Sequence, residues 1–150
     1  YKKNSEIEIR NSKEITIFTH STYWDLIACL LSIFNPLNRK NFIPTKESQQ
    51  SCEIHIRLHP SLNKEIALKE IKNIIEIPKS VNYKFINNKD ESIVYSMKSS
   101  KYCIFGLSAY VNLAININCK VFSVETNHIN KAPIRSALRN SPNLKVINPW

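Results

Sequence analysis

Hydrophobic and polar positions along the chain follow two periods, one near two residues and one near three and a half. Residues 14–19 (Glu14-Ile15-Thr16-Ile17-Phe18-Thr19) are a short β-branched run that predicts a buried strand. At His20-Ser21-Thr22 the pattern changes to Tyr23–Phe34, whose apolar residues surround most of a helix. Ser21 or Thr22 suits its N-cap, and Asp25 falls in the first turn, where a carboxylate complements the helix dipole. Asn35-Pro36 ends this helix, and residues 38–51 read as a polar loop, long enough to be functional or mobile. Residues 52–58 alternate as a second strand that runs into His59-Pro60-Ser61, and residues 64–75 carry apolar positions at helical spacing, closed by Pro78.

The same alternation continues to the end of the chain. Val81–Ile86 predicts a third strand, residues 87–90 a polar turn and residues 92–99 a short helix. Residues 102–105 are a very apolar strand ended by Gly106, and residues 108–116 are helical again. Residues 120–125 form the next strand, residues 132–138 a last helix, and Leu144–Ile147 a last short strand. Strands separated by helices imply βαβ units, hence an α/β, Rossmann-like parallel sheet with helices on both faces. The 150 residues suit a single domain, 1–150, and no internal repeat or low-complexity segment interrupts it. The chain opens on Tyr1 without an initiator Met, so it is expected to be a piece of a longer, two-domain protein.

In an open parallel sheet, ligands bind beyond the carboxyl ends of the strands. The strand assignments put four segments there: His20-Ser21-Thr22, His59-Pro60-Ser61, Gly106-Leu107-Ser108, and Glu125-Thr126-Asn127-His128. Three of the four histidines fall on this edge, and only His55 lies inside a strand. Gly106 is the sole glycine, so glycine-rich phosphate loops are excluded. A glycine at a strand-to-helix turn permits a positive φ and close approach of a ligand to the backbone. Ser108 is then expected at an N-cap, with the amides of Ala109 and Tyr110 free to bind an anion. His59, held at the sheet edge by Pro60, can donate to a phosphate or ribose oxygen, and Arg57 points to the same face two residues earlier. Glu125 can bind ribose or sugar hydroxyls, and His20 and Ser21 can reach a ligand from the first strand end. Simple caps, turns and solvated side chains account for each of these residues taken singly.

Composition narrows the chemistry. A net charge of +9 favours an anionic ligand and is compatible with peripheral membrane association, but the lysines are dispersed, so nucleic acid is not an expected partner. The four cysteines are far apart and without a CxxC pair, as expected of reduced, buried thiols in a cytoplasmic protein, and neither a metal site nor a cofactor is expected. No signal-peptide pattern is present, and the longest apolar stretch, residues 26–34, is shorter than the ~20 residues a bilayer requires. GxSxG, HExxH and EF-hand patterns do not occur.

The combination of a strand ending in His59-Pro60, a later apolar strand ending in Gly106 and Ser108, and a strand ending in Glu125 resembles a family. It is similar to the C-terminal domain of GT-B-fold glycosyltransferases of the bacterial sialyltransferase and polysialyltransferase type, and to related Kdo and glycerophosphate transferases. The resemblance runs from about Glu14 to Glu125. It implies that His59, Pro60 and Ser108 bind the nucleotide of a donor sugar, CMP-linked in the nearest pattern, for transfer to a carbohydrate acceptor in surface polysaccharide synthesis. Ser108-Ala109 stands where those families often carry two adjacent hydroxyls. The resemblance further implies metal-free stabilisation of the departing phosphate, with His59 as the catalytic group. The general base would lie in an N-terminal domain outside this chain, so this domain alone is expected to be inactive, and the expected location is the cytoplasm, at the inner face of the membrane. A non-catalytic nucleotide- or sugar-binding module, or an interaction domain using Trp24 and Pro149-Trp150, stays open beside it.

Overall fold

A computed structural model describes residues 13–43, 52–125 and 133–149. Six strands form one all-parallel sheet: β1 (Lys13–Phe18), β2 (Cys52–Arg57), β3 (Val81–Ile86), β4 (Ser100–Phe105), β5 (Val121–Val124) and β6 (Leu144–Ile147), in the order β3-β2-β1-β4-β5-β6. Helices α1 (Tyr23–Phe34), α2 (Pro36–Phe42) and α3 (Lys64–Ile74) pack on one face, where Leu26, Ile27, Leu30, Ile33, Phe42, Ala67 and Ile71 meet Ile15, Ile17, Ile54, Ile56 and Ile104. Helices α4 (Ile93–Ser99) and α5 (Val111–Asn116) cover the other, where Met97, Val111, Ala114 and Ile115 meet Phe18, Cys103, Phe105 and Val121. This is a doubly wound Rossmann-like fold. The chain leaves β1 in one direction and returns over the opposite face to β4, because both halves use right-handed crossovers. The topological switch point therefore falls between β1 and β4.

Burial reports the strand order directly. Residues 15–19 of the central β1 segment and all of β5 are buried on both faces, whereas β3 and β6 at the edges are only partly covered. Thr16 is a polar residue in that core, and its hydroxyl is satisfied by the Ser100 hydroxyl at 2.6 Å, which also lies 2.6 Å from the Ser96 carbonyl. No described helix is long and apolar enough to cross a membrane.

Three elements differ from the sequence expectation. Asn35 ends α1 and at once starts α2: its amide donates to Leu31 O, its side-chain oxygen accepts from Leu37 N, and Pro36 occupies the first turn. The segment read as loop from residue 38 is thus helical to Phe42, and residues 44–51 lie outside the described residues. Helix α5 starts at Val111, three residues after Ser108. The expected last helix is one 3₁₀ turn, Ser136–Leu138.

In a chain with one glycine, α5 closes without one. Asn118 takes the left-handed conformation (φ 64°), its amide donates to Ile115 O, and Cys119 N donates to Ala114 O, the paired bonds of a Schellman motif. Asparagine tolerates this conformation better than residues with a plain Cβ. Asn118→Ala is therefore expected to lower stability by about 1 kcal/mol in urea unfolding, whereas Asn118→Gly leaves it unchanged or raises it.

Candidate functional site

The carboxyl ends of β1, β2 and β4 are aligned by register and by one stacked ring pair. Phe18 is paired with Arg57 on one side and with Phe105 on the other, and the Phe18 and Phe105 rings stack at 4.6 Å. The segments beginning at Thr19, Leu58 and Gly106 consequently emerge side by side.

Asp25 joins two of them. It is buried near the start of α1, where its Oδ2 accepts from His20 N at 2.9 Å and its Oδ1 from Leu107 N at 3.0 Å. One carboxylate thereby ties the β1 loop to the β4 loop across the switch point. Thr22 caps the helix beneath it, accepting from Asp25 N. Gly106 is what makes this possible. A Cβ at that position would lie 1.9 Å from Asp25 Oδ1 and 2.7 Å from its Cγ, and the glycine does not have a positive φ. The expectation that Gly106 clears space for a ligand is thus corrected: the space is filled by the protein's own carboxylate.

Burial dominates the Asp25 environment and raises its pKa from the ordinary 3.8, against the opposing effect of the two amide bonds and the His20 charge. The folded chain thus holds this proton more tightly than the unfolded chain.

Thr19 makes the second link. Its hydroxyl donates to Arg57 O at 2.8 Å and accepts from His59 N at 2.8 Å. Farther along, Asn63 N donates to Tyr23 Oη at 2.7 Å, and Leu62 N closes a turn on His59 O. The His59–Asn63 loop is clamped at both ends, and Asn63 itself caps α3. The result brings His59 beside His20, with ring centroids 5.9 Å apart. Ser61 N donates to His59 Nδ1 at 3.1 Å, with the Ser61 hydroxyl at 2.8 Å, so Nδ1 is the acceptor and the ring proton belongs on Nε2. His20 Nδ1 is 3.1 Å from the Ser21 hydroxyl. Among the described residues, neither Nε2 takes a protein hydrogen bond. Pro60, Ser61 and Ser21 are exposed around the pair.

The remaining sequence candidates are placed differently. Arg57, expected to share a face with the ligand, is buried, and its guanidinium donates to Glu91 O, Ser96 Oγ and Asn88 Oδ1. It anchors the β3–α4 connection. Burial lowers its pKa, while Glu91, Tyr110 and Asp90 act in the opposite sense. Ser108 is buried, and its hydroxyl accepts from Tyr110 N within a turn that precedes α5, so it is not the N-cap of that helix. Ala109 is exposed in the same turn. Glu125 follows β5 and accepts from Arg139 Nη1, an ion pair that occupies one of its oxygens. His128 lies outside the described residues. Among the described residues no three His, Cys, Asp or Glu side chains gather as a metal site.

Thr19 and Tyr23 carry no sequence signal that separates them from ordinary strand and helix residues. Asp25 did carry one, because Thr22-x-x-Asp25 has the spacing of a capping box and the chain's only glycine stands at the neighbouring strand end.

Two stability measurements check the Asp25 tie. Gly106→Ala is expected to cost about 3 kcal/mol through overpacking, and appreciably less in an Asp25→Ala background, a coupling of at least ~1 kcal/mol in a double-mutant cycle. Additive effects would contradict the contact. The second is pH dependence. Because the folded pKa is raised, Asp25 favours the folded state most below 3.8, and its contribution diminishes as pH rises through the folded value. The stability difference between the wild type and Asp25→Asn should therefore shift against the wild type across that window, as read by urea unfolding at a series of pH values.

No family model matches the chain, and no curated protein or solved structure matches it.

Proposed function

We propose that this chain is the nucleotide-binding domain of a glycosyltransferase, taking a nucleotide-activated sugar donor at the carboxyl edge of β1 and β2. The observation that carries the reading is the pairing of His20 and His59, drawn from adjacent strand ends, with both Nε2 atoms left for a ligand. Support also comes from the clamps around them. Thr19, Tyr23 and Ser61 hold the His59 ring and its loop before any ligand arrives, so little ordering is required on binding.

In this reading the His59 Nε2–H donates to a phosphate oxygen, and His20 sits beside it on the same phosphate. As the sugar leaves, charge develops on that phosphate, and a fixed donor aimed at it lowers the barrier electrostatically. The amides of His20 and Leu107, which face the switch point, are already bonded to Asp25 and are not part of the anion site. This shifts the phosphate from the Gly106–Ser108 turn to the histidine side. The net charge of +9 favours an anionic donor over a neutral one. The carbohydrate acceptor and the general base belong to a second domain in this proposal.

A second reading, a nucleotide-binding module without catalysis, shares the same site and differs only in the partner domain. Calorimetric titration with CMP, CDP, UDP and GDP tests both. At least one nucleotide is expected to bind, and His59→Ala should weaken it by about ten- to a hundredfold, the worth of one hydrogen bond to a charged group. His20→Ala should weaken it less, and Ser108→Ala only slightly. Absence of binding by all four nucleotides, or binding that survives loss of both imidazoles, would overturn the proposal.

A further inference from the structure

The Schellman turn after α5 has a chemical consequence. It sets Cys119 beside β4, on the same face of the sheet as Cys103. Cys103 N donates to Lys120 O at 2.9 Å, and Asn143 Nδ2 holds the turn from outside through Cys119 O at 2.7 Å and Ile115 O at 3.2 Å. Both thiols converge on one acceptor: Cys103 Sγ and Cys119 Sγ each lie 3.5 Å from Met97 O. Cys103 is buried, and Cys119 is partly exposed. Cys29 and Cys52 are buried in the core on the opposite face.

We propose that Cys103 and Cys119 are a redox-active dithiol, with Cys119 the attacking thiol and Cys103 the resolving one. The reaction requires an oxidant of the peroxide class. The Cys119 thiolate attacks one oxygen of hydrogen peroxide, the O–O bond breaks, and the departing hydroxide takes up the proton the thiol had released and leaves as water, giving a sulfenic acid on Cys119. The Cys103 sulfur then attacks the Cys119 sulfur, the S–O bond breaks, and a second water leaves with the Cys103 proton. Two thiols lose two electrons in all, and one peroxide gains them.

The division of roles follows from position. Cys119 is reachable from solvent, and the neighbouring Cys103 thiol and the Lys98 charge favour its thiolate against the effect of burial. The neighbouring Cys119 and burial push the Cys103 thiol up and keep its proton on, where it donates to Met97 O. The disulfide would close a loop from β4 through α5, enclosing the Gly106-Leu107 turn that Asp25 holds.

The test treats the reduced full chain with hydrogen peroxide and maps the peptides without reduction. The expected product links the Cys103 peptide to the Cys119 peptide, and two of the four thiols remain free. In Cys103→Ser, dimedone should trap a sulfenic acid on Cys119. Before oxidation, Cys119 should alkylate at least about tenfold faster than Cys29 or Cys52, as thiolate character and access require. A different pairing, four thiols left intact, or a first adduct on Cys103 would overturn the assignment. The wild-type map does not depend on any variant folding.

Discussion

The carboxyl edge of this sheet depends on one buried carboxylate. Asp25 reaches from the first turn of α1 to the amides of His20 and Leu107, residues 82 positions apart in the second case. The contact exists only because the residue above it has no side chain. A buried carboxylate away from partners would be costly, and two backbone donors offset that cost without neutralising the effect of burial. The same group that stabilises the switch point therefore also removes its amides from any ligand.

That constraint decides where chemistry can occur. In a doubly wound sheet the crevice between the two inner strands is the usual place for a phosphate, and a glycine there ordinarily opens the backbone to it. Here the crevice floor is filled from within. The two imidazole Nε2 atoms, which take no protein hydrogen bond among the described residues, lie one strand over, where Thr19 bridges the ends of β1 and β2 and holds the His59 backbone beside His20. The nucleotide-transferase proposal rests on this displaced site, with Arg57 and Glu125 in structural pairings with Glu91, Ser96, Asn88 and Arg139.

Much of the fold was legible along the chain. The apolar periods gave α1, β3 and β6 with the bounds observed, and alternating strands and helices implied the parallel sheet. These features are local, set by which side chains face a core. The errors are also physical. Asn35-Pro36 reads as a stop, yet asparagine can cap and proline can open the next helix, so α2 was missed. Ser108 looks like an N-cap, but the chain makes a turn before α5. The partners of Arg57 and Gly106 come from the β3–α4 connection and from α1, and sequence pattern does not pair residues across such distances. The His20 and His59 positions were legible as strand ends. Their proximity was not, since it depends on the Thr19 hydroxyl.

In the proposed function an anionic ligand sits on the histidine side of the switch point. Amide chemical-shift mapping during titration with CMP and CDP tests it most directly. The largest changes are expected on His20, Ser21, His59 and Ser61, with Leu107 moving little because Asp25 holds its amide. Changes centred instead on Gly106, Ser108, Ala109 and Tyr110 would contradict it.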